Sequence, residues 1–342
     1  MRRGLVVGIV VLLLLLGQSL AQQFSYVSID VPCSAFPNGD PCPNSGYAII
    51  NAANGINAAG VIVGSYKEVS AAGASHGFVY RNGQFTTLDV PGWFVGRNDL
   101  RSLPTSANGI GPSGDIVGNY TAPVNPTVTD ANSAAYCPAP GPACTKGFLY
   151  RRGTFRLVLY AGHPGAIPQR ITPNGDIYGC LHDYMLMDDM LAARWSSRLG
   201  DAHLDVPSSM ANGSTPRGDM VVGLWDETLQ MTPVRLTHRH GFVIRGGVFQ
   251  SYDVQRNGQK STLTAIWDMN PSQAFVGTYV LNGLRHGFLQ LPDGSAPIDI
   301  NFDDQATIPT VAFGINPDGV IVGQYTASGL THGFAAFPAT TD

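Results

Sequence analysis

Two short stretches gather side chains that could do chemistry. The first reads Cys-Leu-His-Asp-Tyr-Met-Leu-Met-Asp-Asp-Met-Leu-Ala-Ala-Arg-Trp, from Cys180 to Trp195. His182 beside Asp183 has the composition of a general acid–base pair. Asp183, Asp188 and Asp189 offer the hard oxygen ligands that Ca²⁺ takes, and Arg194 adds a fixed charge. The second stretch is Trp225-Asp226-Glu227. An aromatic face beside carboxylates suits stacking on a sugar ring and hydrogen bonding to its hydroxyls. Glu68 and Glu227 are the two glutamates of the chain. Two carboxylates converging from different elements would be the pair that glycoside hydrolysis needs. His182, Asp183 and Glu227 are therefore the catalytic candidates. Asp188, Asp189, Arg194, Trp225, Asp226 and Glu68 are the ligand-binding candidates. The plainer alternative for Cys180 to Trp195 is a decayed repeat carrying a short helical insertion. Trp93, Arg97, Asp99, Trp267 and Asp268 are read as loop residues, solvated or packed.

The elements that must position these residues are repeats. The element Gly-x-Ile-Val-Gly-x-Tyr occurs six times with drift, and its last glycines are Gly64, Gly118, Gly179, Gly223, Gly277 and Gly323. Their spacing of 44 to 61 residues fits a four-stranded propeller blade. We number the repeat units one to six by these glycines. Unit one divides into Ala48 to Asn57, Val61 to Tyr66, His76 to Tyr80 and Gln84 to Val90. Asn82-Gly83 is a strong hairpin signal, and Arg152-Gly153, Gly246-Gly247 and Asp293-Gly294 occupy the same place. The glycines of the Val-Gly step would let a neighbouring sheet come close.

His76, His240, His286 and His332 recur in phase, with Lys146 in unit two. Spread around a ring they cannot share a metal, and a histidine hydrogen-bonded at a blade edge accounts for them, so no metal site is assigned. Asp30, Asp89, Asp205, Asp253 and Asp299 also recur, placed to satisfy backbone donors near a strand end.

Antiparallel order puts the one-to-two and three-to-four turns on one face. The two-to-three and four-to-one loops, where insertions accumulate, share the other. Insertions gathered on one face mark it as the binding face. Function is then expected where a copy departs from the repeat, and unit three departs most, lacking His-Gly-Phe. Tyr26 to Pro32 resembles a fourth segment, and the last unit stops near Phe337 without one. The first strand can therefore complete the last blade.

Residues 1 to 21 have the form of a secretory signal peptide: Arg2 and Arg3, an apolar Leu5 to Leu16, and small residues at Ser19 and Ala21. The apolar stretch is too short to span a bilayer, and no later stretch is longer, so no membrane insertion is expected after cleavage. The chain carries 20 Lys and Arg against 24 Asp and Glu, and losing Arg2 and Arg3 makes it more acidic still. Such a balance gives no footprint for nucleic acid. Abundant Gly and Asp with only three lysines favour turns over helices. Cys33/Cys42 and Cys137/Cys144 could staple their own loops or stay reduced, and Cys180 is left as a buried thiol. No nucleophile elbow, zinc-protease helix, phosphate loop or EF-hand loop is present. Asn119-Tyr-Thr121 and Asn212-Gly-Ser214 match the glycosylation pattern.

Gly-Ile-Asn-x-x-Gly-x-Ile-Val-Gly-x-Tyr followed by His-Gly-Phe, clearest at Gly55 to Phe78 and Gly314 to Phe334, resembles the bacterial extracellular HAF-repeat family. The resemblance covers nearly all of residues 22–342 and implies a secreted repeat protein without an assigned activity. It carries nothing to unit three. The expectation is an all-β, six-bladed β-propeller as a single domain over 22–342. It would bind an extracellular glycan, polymer or protein through its long-loop face and need no cofactor beyond an occasional Ca²⁺. The alternative is a polysaccharide hydrolase or lyase with its site on that face.

Overall fold

The structure, a computed structural model, describes the chain from Phe24 to Ala339, apart from residues 38–41, 69–74, 126, 128, 130–132, 135, 138–143, 164, 183–189, 207, 231–235 and 304. The expected signal peptide and Asp183, Asp188 and Asp189, with their Ca²⁺ reading, lie outside the described residues.

Strand β1 (Phe24–Ile29) precedes unit one, which is β2 (Ile50–Ile56), β3 (Ile62–Lys67), β4 (His76–Arg81) and β5 (Gln84–Thr87). Unit two is β6 (Thr105–Ile110), β7 (Ile116–Ala122), β8 (Cys144–Arg151) and β9 (Thr154–Val158). Unit three is β10 (Gly165–Ile171), β11 (Ile177–His182), β12 (Met190–Trp195) and β13 (Ala202–His203). Unit four is β14 (Ser209–Ser214), β15 (Met220–Gln230), β16 (Leu236–Arg245) and β17 (Val248–Tyr252), followed by a ribbon of β18 (Gln255–Arg256) and β19 (Gln259–Lys260). Unit five is β20 (Leu263–Met269), β21 (Phe275–Leu281), β22 (Leu284–Gln290) and β23 (Ile298–Ile300). Unit six is β24 (Thr310–Ile315), β25 (Ile321–Ala327) and β26 (Leu330–Pro338).

These strands form a β-propeller. Units two to five are each a four-stranded antiparallel sheet in sequence order. β1 pairs antiparallel with β26, from Phe24↔Pro338 to Ile29↔Gly333. One parallel pairing, Ile50↔Thr331, joins units six and one into a larger sheet. The first strand of each unit touches the first strand of the next, and β24 touches β2. No helix among the described residues is long and apolar enough to cross a membrane. Disulfides link Cys33 to Cys42 and Cys137 to Cys144, a chemistry that persists in oxidising compartments.

The repeat motif is a packing grammar. Each first strand carries a bulge at the same place, as between Ala53 and Gly55 or Ala107 and Gly109. The bulge turns a carbonyl toward the second strand, where only glycine leaves room. A Cβ on Gly64 would strike the Ala52 carbonyl and come within 2.6 Å of the Phe78 ring. The Val-Gly glycine therefore admits its own sheet's carbonyl and phenylalanine, not a neighbouring sheet. Phe78, Phe148, Phe242, Phe288 and Phe334 all fill this place and are fully buried. Each is worth about 1.5–3 kcal/mol by removal from water. Unit three has Ala193 there, opposite Gly179.

The recurring histidines and acids pair with one another. His76 Nδ1 lies 2.6 Å from Asp89 Oδ2, His240 Nδ1 2.9 Å from Asp253 Oδ1 and His332 Nδ1 2.9 Å from Asp30 Oδ2. Asp89 also accepts the Gly77 N–H at 3.1 Å, as a strand-end acid should. Unit five differs: His286 meets Asn301, while Asp299 accepts from Tyr279 and Arg256.

One turn expectation and one glycosylation match need correction. Asn82-Gly83 and Arg152-Gly153 form the left-handed pairs of two-residue hairpins, with φ near 50° and 81°. Asp293-Gly294 instead sits within a longer connection between Gln290 and Ile298. The Asn212 glycosylation match is unusable, because that side chain is fully buried and donates to Ile266 O at 2.8 Å.

Candidate functional site on the propeller axis

The bulges place six equivalent residues around the axis. Three are asparagines that tie one unit to the next. Asn54 Nδ2 donates to Ala107 O at 3.0 Å, Asn108 Nδ2 to Pro168 O at 2.8 Å, and Asn212 Nδ2 to Ile266 O. The other three are Gln169, Trp267 and Phe313. The residue after each bulge is Gly55, Gly109, Gly213 and Gly314 in four units. It is Arg170 in unit three and Asp268 in unit five. The backbones crowd here: a Cβ on Gly55 would lie 3.1 Å from Gly109 Cα. Where glycine gives way, a long cation and a carboxylate occupy the axis.

These two groups meet, with Arg170 Nε 3.0 Å from Asp268 Oδ1. The guanidinium also donates to Asn108 O at 2.7 Å, Gln169 O at 2.7 Å, Asn54 O at 3.0 Å and the carbonyl of Phe313. Asp268 accepts the Met269 N–H at 2.8 Å and the Ile315 N–H at 3.1 Å. Burial pushes the Asp268 carboxyl upward, against the downward pull of Arg170 and the two N–H groups. One arginine thus ties together backbone from units one, two, three and six, and its partner comes from unit five.

Arg170 floors a depression of about 210 Å³ on the long-loop side, lined also by Asn54, Ser106, Gln169, Trp267 and Phe313, while Asp268 lies outside that lining. Trp267 and Phe313 meet edge to face, with centroids 5.5 Å apart. Trp267 Nε1 is shielded from water and has no hydrogen-bond partner among the described residues. That N–H is enclosed, so what Trp267 lends the hollow is its aromatic ring. From the sequence, Trp267 and Asp268 are expected in a loop; both instead lie on β20 at the axis. Aligning Asn-Gly at 54–55, 108–109 and 212–213 with Gln-Arg at 169–170 and Trp-Asp at 267–268 would have revealed them.

Among the described residues, those singled out by sequence do not assemble into one cleft. Glu68 and Glu227 sit at equivalent positions in units one and four, each on its own unit's histidine. Glu68 Oε1 is 2.9 Å from His76 Nε2, and Glu227 Oε2 is 3.3 Å from His240 Nε2. They are copies of one feature rather than a converging pair. Trp225 stacks on His240 at 4.9 Å and donates to Ser251 at 3.3 Å. Asp226 receives both arms of Arg239 at 2.8 Å. Arg194 lies within β12 and reaches Leu199 O and Gly200 O in the three-to-four turn. That turn faces away from the long loops, because the side chain sits near the strand's far end. His182 ends β11 with Nε2 3.1 Å from Cys180 Sγ. Burial holds its imidazole below the ordinary value and pushes the Cys180 thiol up. Trp93 is exposed, and Arg97 pairs with Asp99 at 2.8 Å.

No protein-family model matches the chain, and no curated protein does. Solved propellers resemble it at low identity. The β-propeller domain of the Trilobed protease of Pyrococcus furiosus superposes with a TM-score of 0.47 at 7% identity, covering 86% of this chain and 85% of that one. Trypanosoma rangeli sialidase with the inhibitor DANA gives 0.48 at 9% identity over 93% of this chain, which spans 60% of that one. An ulvan lyase of a polysaccharide lyase family gives 0.43 at 12% identity, covering 82% of this chain and 81% of that one. At these identities the likeness is one of fold.

Proposed function

We propose that this chain is a secreted, six-bladed propeller of the HAF-repeat kind, a single domain over 22–342, that binds an extracellular glycan in the axial depression of its long-loop face. The carrying observation is the set of departures at the bulge positions. Where the repeat would place Asn, the chain places Gln169, Trp267 and Phe313 around one hollow. Aromatic faces beside amides and hydroxyls are what a sugar ring needs. The depression is smaller than the ~300–1,000 Å³ of drug-sized pockets, so it suits one ring or a chain end. Six blades are supported by the ring of first-strand contacts that returns from β24 to β2. Export is supported by the leader sequence and the two disulfides.

Binding is favoured over hydrolysis because the charged side chain lining the hollow, Arg170, is committed to Asp268 and to backbone carbonyls. Calorimetric titration with a polysaccharide panel tests this. Trp267→Ala should weaken the best ligand at least about tenfold, or 1.4 kcal/mol, with unchanged thermal stability. Undiminished affinity in that variant would move the site off the axis. Turnover of the polysaccharide would replace binding by catalysis.

A further inference from the structure

Unit four carries a feature that the other units lack among the described residues. Its second and third strands run on beyond the sheet, as β15 and β16, toward the long-loop face. In their register Glu227 lies opposite His238 and Trp225 opposite His240. His238 and His240 are two apart on one strand, so both point to the same side. The result is two imidazoles and a carboxylate whose ligand atoms all lie within 4.8 Å of one another.

We propose that Glu227, His238 and His240 bind a divalent transition metal, Zn²⁺ by preference, independently of the axial depression. Three observations converge on it. His240 Nδ1 is held by both oxygens of Asp253, at 2.9 and 3.0 Å, which orients the ring and turns Nε2 toward Glu227 as the ligand atom. A carboxylate behind a metal-binding histidine does this work generally. His240 Nε2 and Glu227 Oε2 are 3.3 Å apart. Tetrahedral ligands at bond lengths near 2.0–2.2 Å stand roughly 3.3–3.6 Å from each other. His238 Nε2 is shielded from water with no partner among the described residues, and its ring centroid is 4.2 Å from that of His240. A buried unpaired ring nitrogen beside two ligand groups is satisfied by a shared cation.

Two imidazoles with one carboxylate select a first-row metal over Ca²⁺ or Mg²⁺, which prefer oxygen. Three protein ligands leave the fourth position open, and Glu227 is solvent-facing, so a water or an external ligand can complete the set. Lys260, 2.9 Å from Asp253, pairs with that carboxylate without competing for the ligand atoms. Unit one supplies a control. His76 has the same Asp89 and Glu68 partners but no second histidine two residues before it, where the chain has Ala74.

Chelator-treated full chain should bind one Zn²⁺ in calorimetry, with proton release, and Co²⁺ should give the visible absorption of a four- or five-coordinate site. His238→Ala should cost at least about tenfold in affinity, as should Glu227→Gln, which keeps the side-chain shape. His76→Ala should leave the affinity unchanged. Absence of stoichiometric binding would overturn the proposal, as would full affinity in folded His238→Ala and Glu227→Gln. Loss of glycan binding in Trp267→Ala bears only on the axial site, so the two readings fail separately.

Discussion

Arg170 and Asp268, 98 positions apart in sequence, meet at 3.0 Å on the axis, from the two units whose bulge is not followed by glycine. Neither residue has room on the axis of a regular repeat ring. Each finds it because the other units contribute glycine, and the charges neutralise one another where water is excluded. A buried pair of this kind is costly to break from one side, since the remaining charge stays desolvated. Arg170→Ala is therefore expected to destabilise the fold by about 3–5 kcal/mol in denaturant unfolding. Arg170→Gly/Asp268→Gly restores the glycine pattern and removes both charges together, so it should cost less than Arg170→Ala alone. Costs that simply add would show that the two residues act independently.

The Val-Gly glycine makes a second prediction possible. Five units put a phenylalanine over it, but unit three keeps Gly179 without one. The common element is the carbonyl ahead of the bulge, which a Cβ on Gly179 or Gly223 would strike alike, from Ile167 and Met210. Gly179→Ala should then destabilise as much as Gly223→Ala, about 1–3 kcal/mol or more from overpacking. If Gly179→Ala unfolds at the wild-type temperature, the ring rather than the carbonyl demands glycine.

What could be read in the sequence follows from which signals are local. Strand lengths and the hairpin at Asn82-Gly83 are legible from periodicity and turn chemistry, which act over a few residues, and the pairing of β1 with β26 is legible because Tyr26 to Pro32 resembles the fourth segment that the last unit lacks. The structural role of His76 and Asp89 was legible because both recur in phase. The axial site was not, since Arg170 and Asp268 come from different units, and the axis is a property of the assembled ring. The most visible departure from the repeat, in unit three, marks a missing phenylalanine, while the two charged substitutions in the glycine column each change a single residue of a first strand. Glu68 and Glu227 invite pairing as two rare residues, whereas each lies against its own unit's histidine.

His182 sets a pH dependence. Its imidazole is held below the ordinary value by burial. In the unfolded chain it titrates near ~6.5. Above that pH neither state is protonated, and the folded state keeps the full benefit. As pH falls through 6.5 toward the lower folded value, the unfolded chain takes up a proton that the folded chain refuses, so stability is lost on acidification. His182→Gln removes this contribution. The fall in thermal midpoint between about pH 7.5 and 5 should be shallower in the variant than in the parent. Equal slopes would mean that the ring becomes protonated in place.

The outer strand of unit six gives the last prediction. β1 is bound by ladder pairing with β26 and by side chains reaching back to unit six. Tyr26 packs against Phe334 and Phe302 at 5.9 and 5.6 Å, Ser28 meets the Tyr325 hydroxyl at 2.8 Å, and Asp30 pairs with His332. Removing residues 22–32 should bare the edge of β26 and the face of Phe334, leaving an unpaired strand prone to association. The truncated chain is expected to melt lower and to self-associate in sedimentation. A synthetic peptide of residues 24–32 should raise its melting temperature in a saturable manner, because β1 is held by pairing and packing that do not require covalent continuity. A truncated chain with the parent's melting temperature would show that β26 is satisfied without β1.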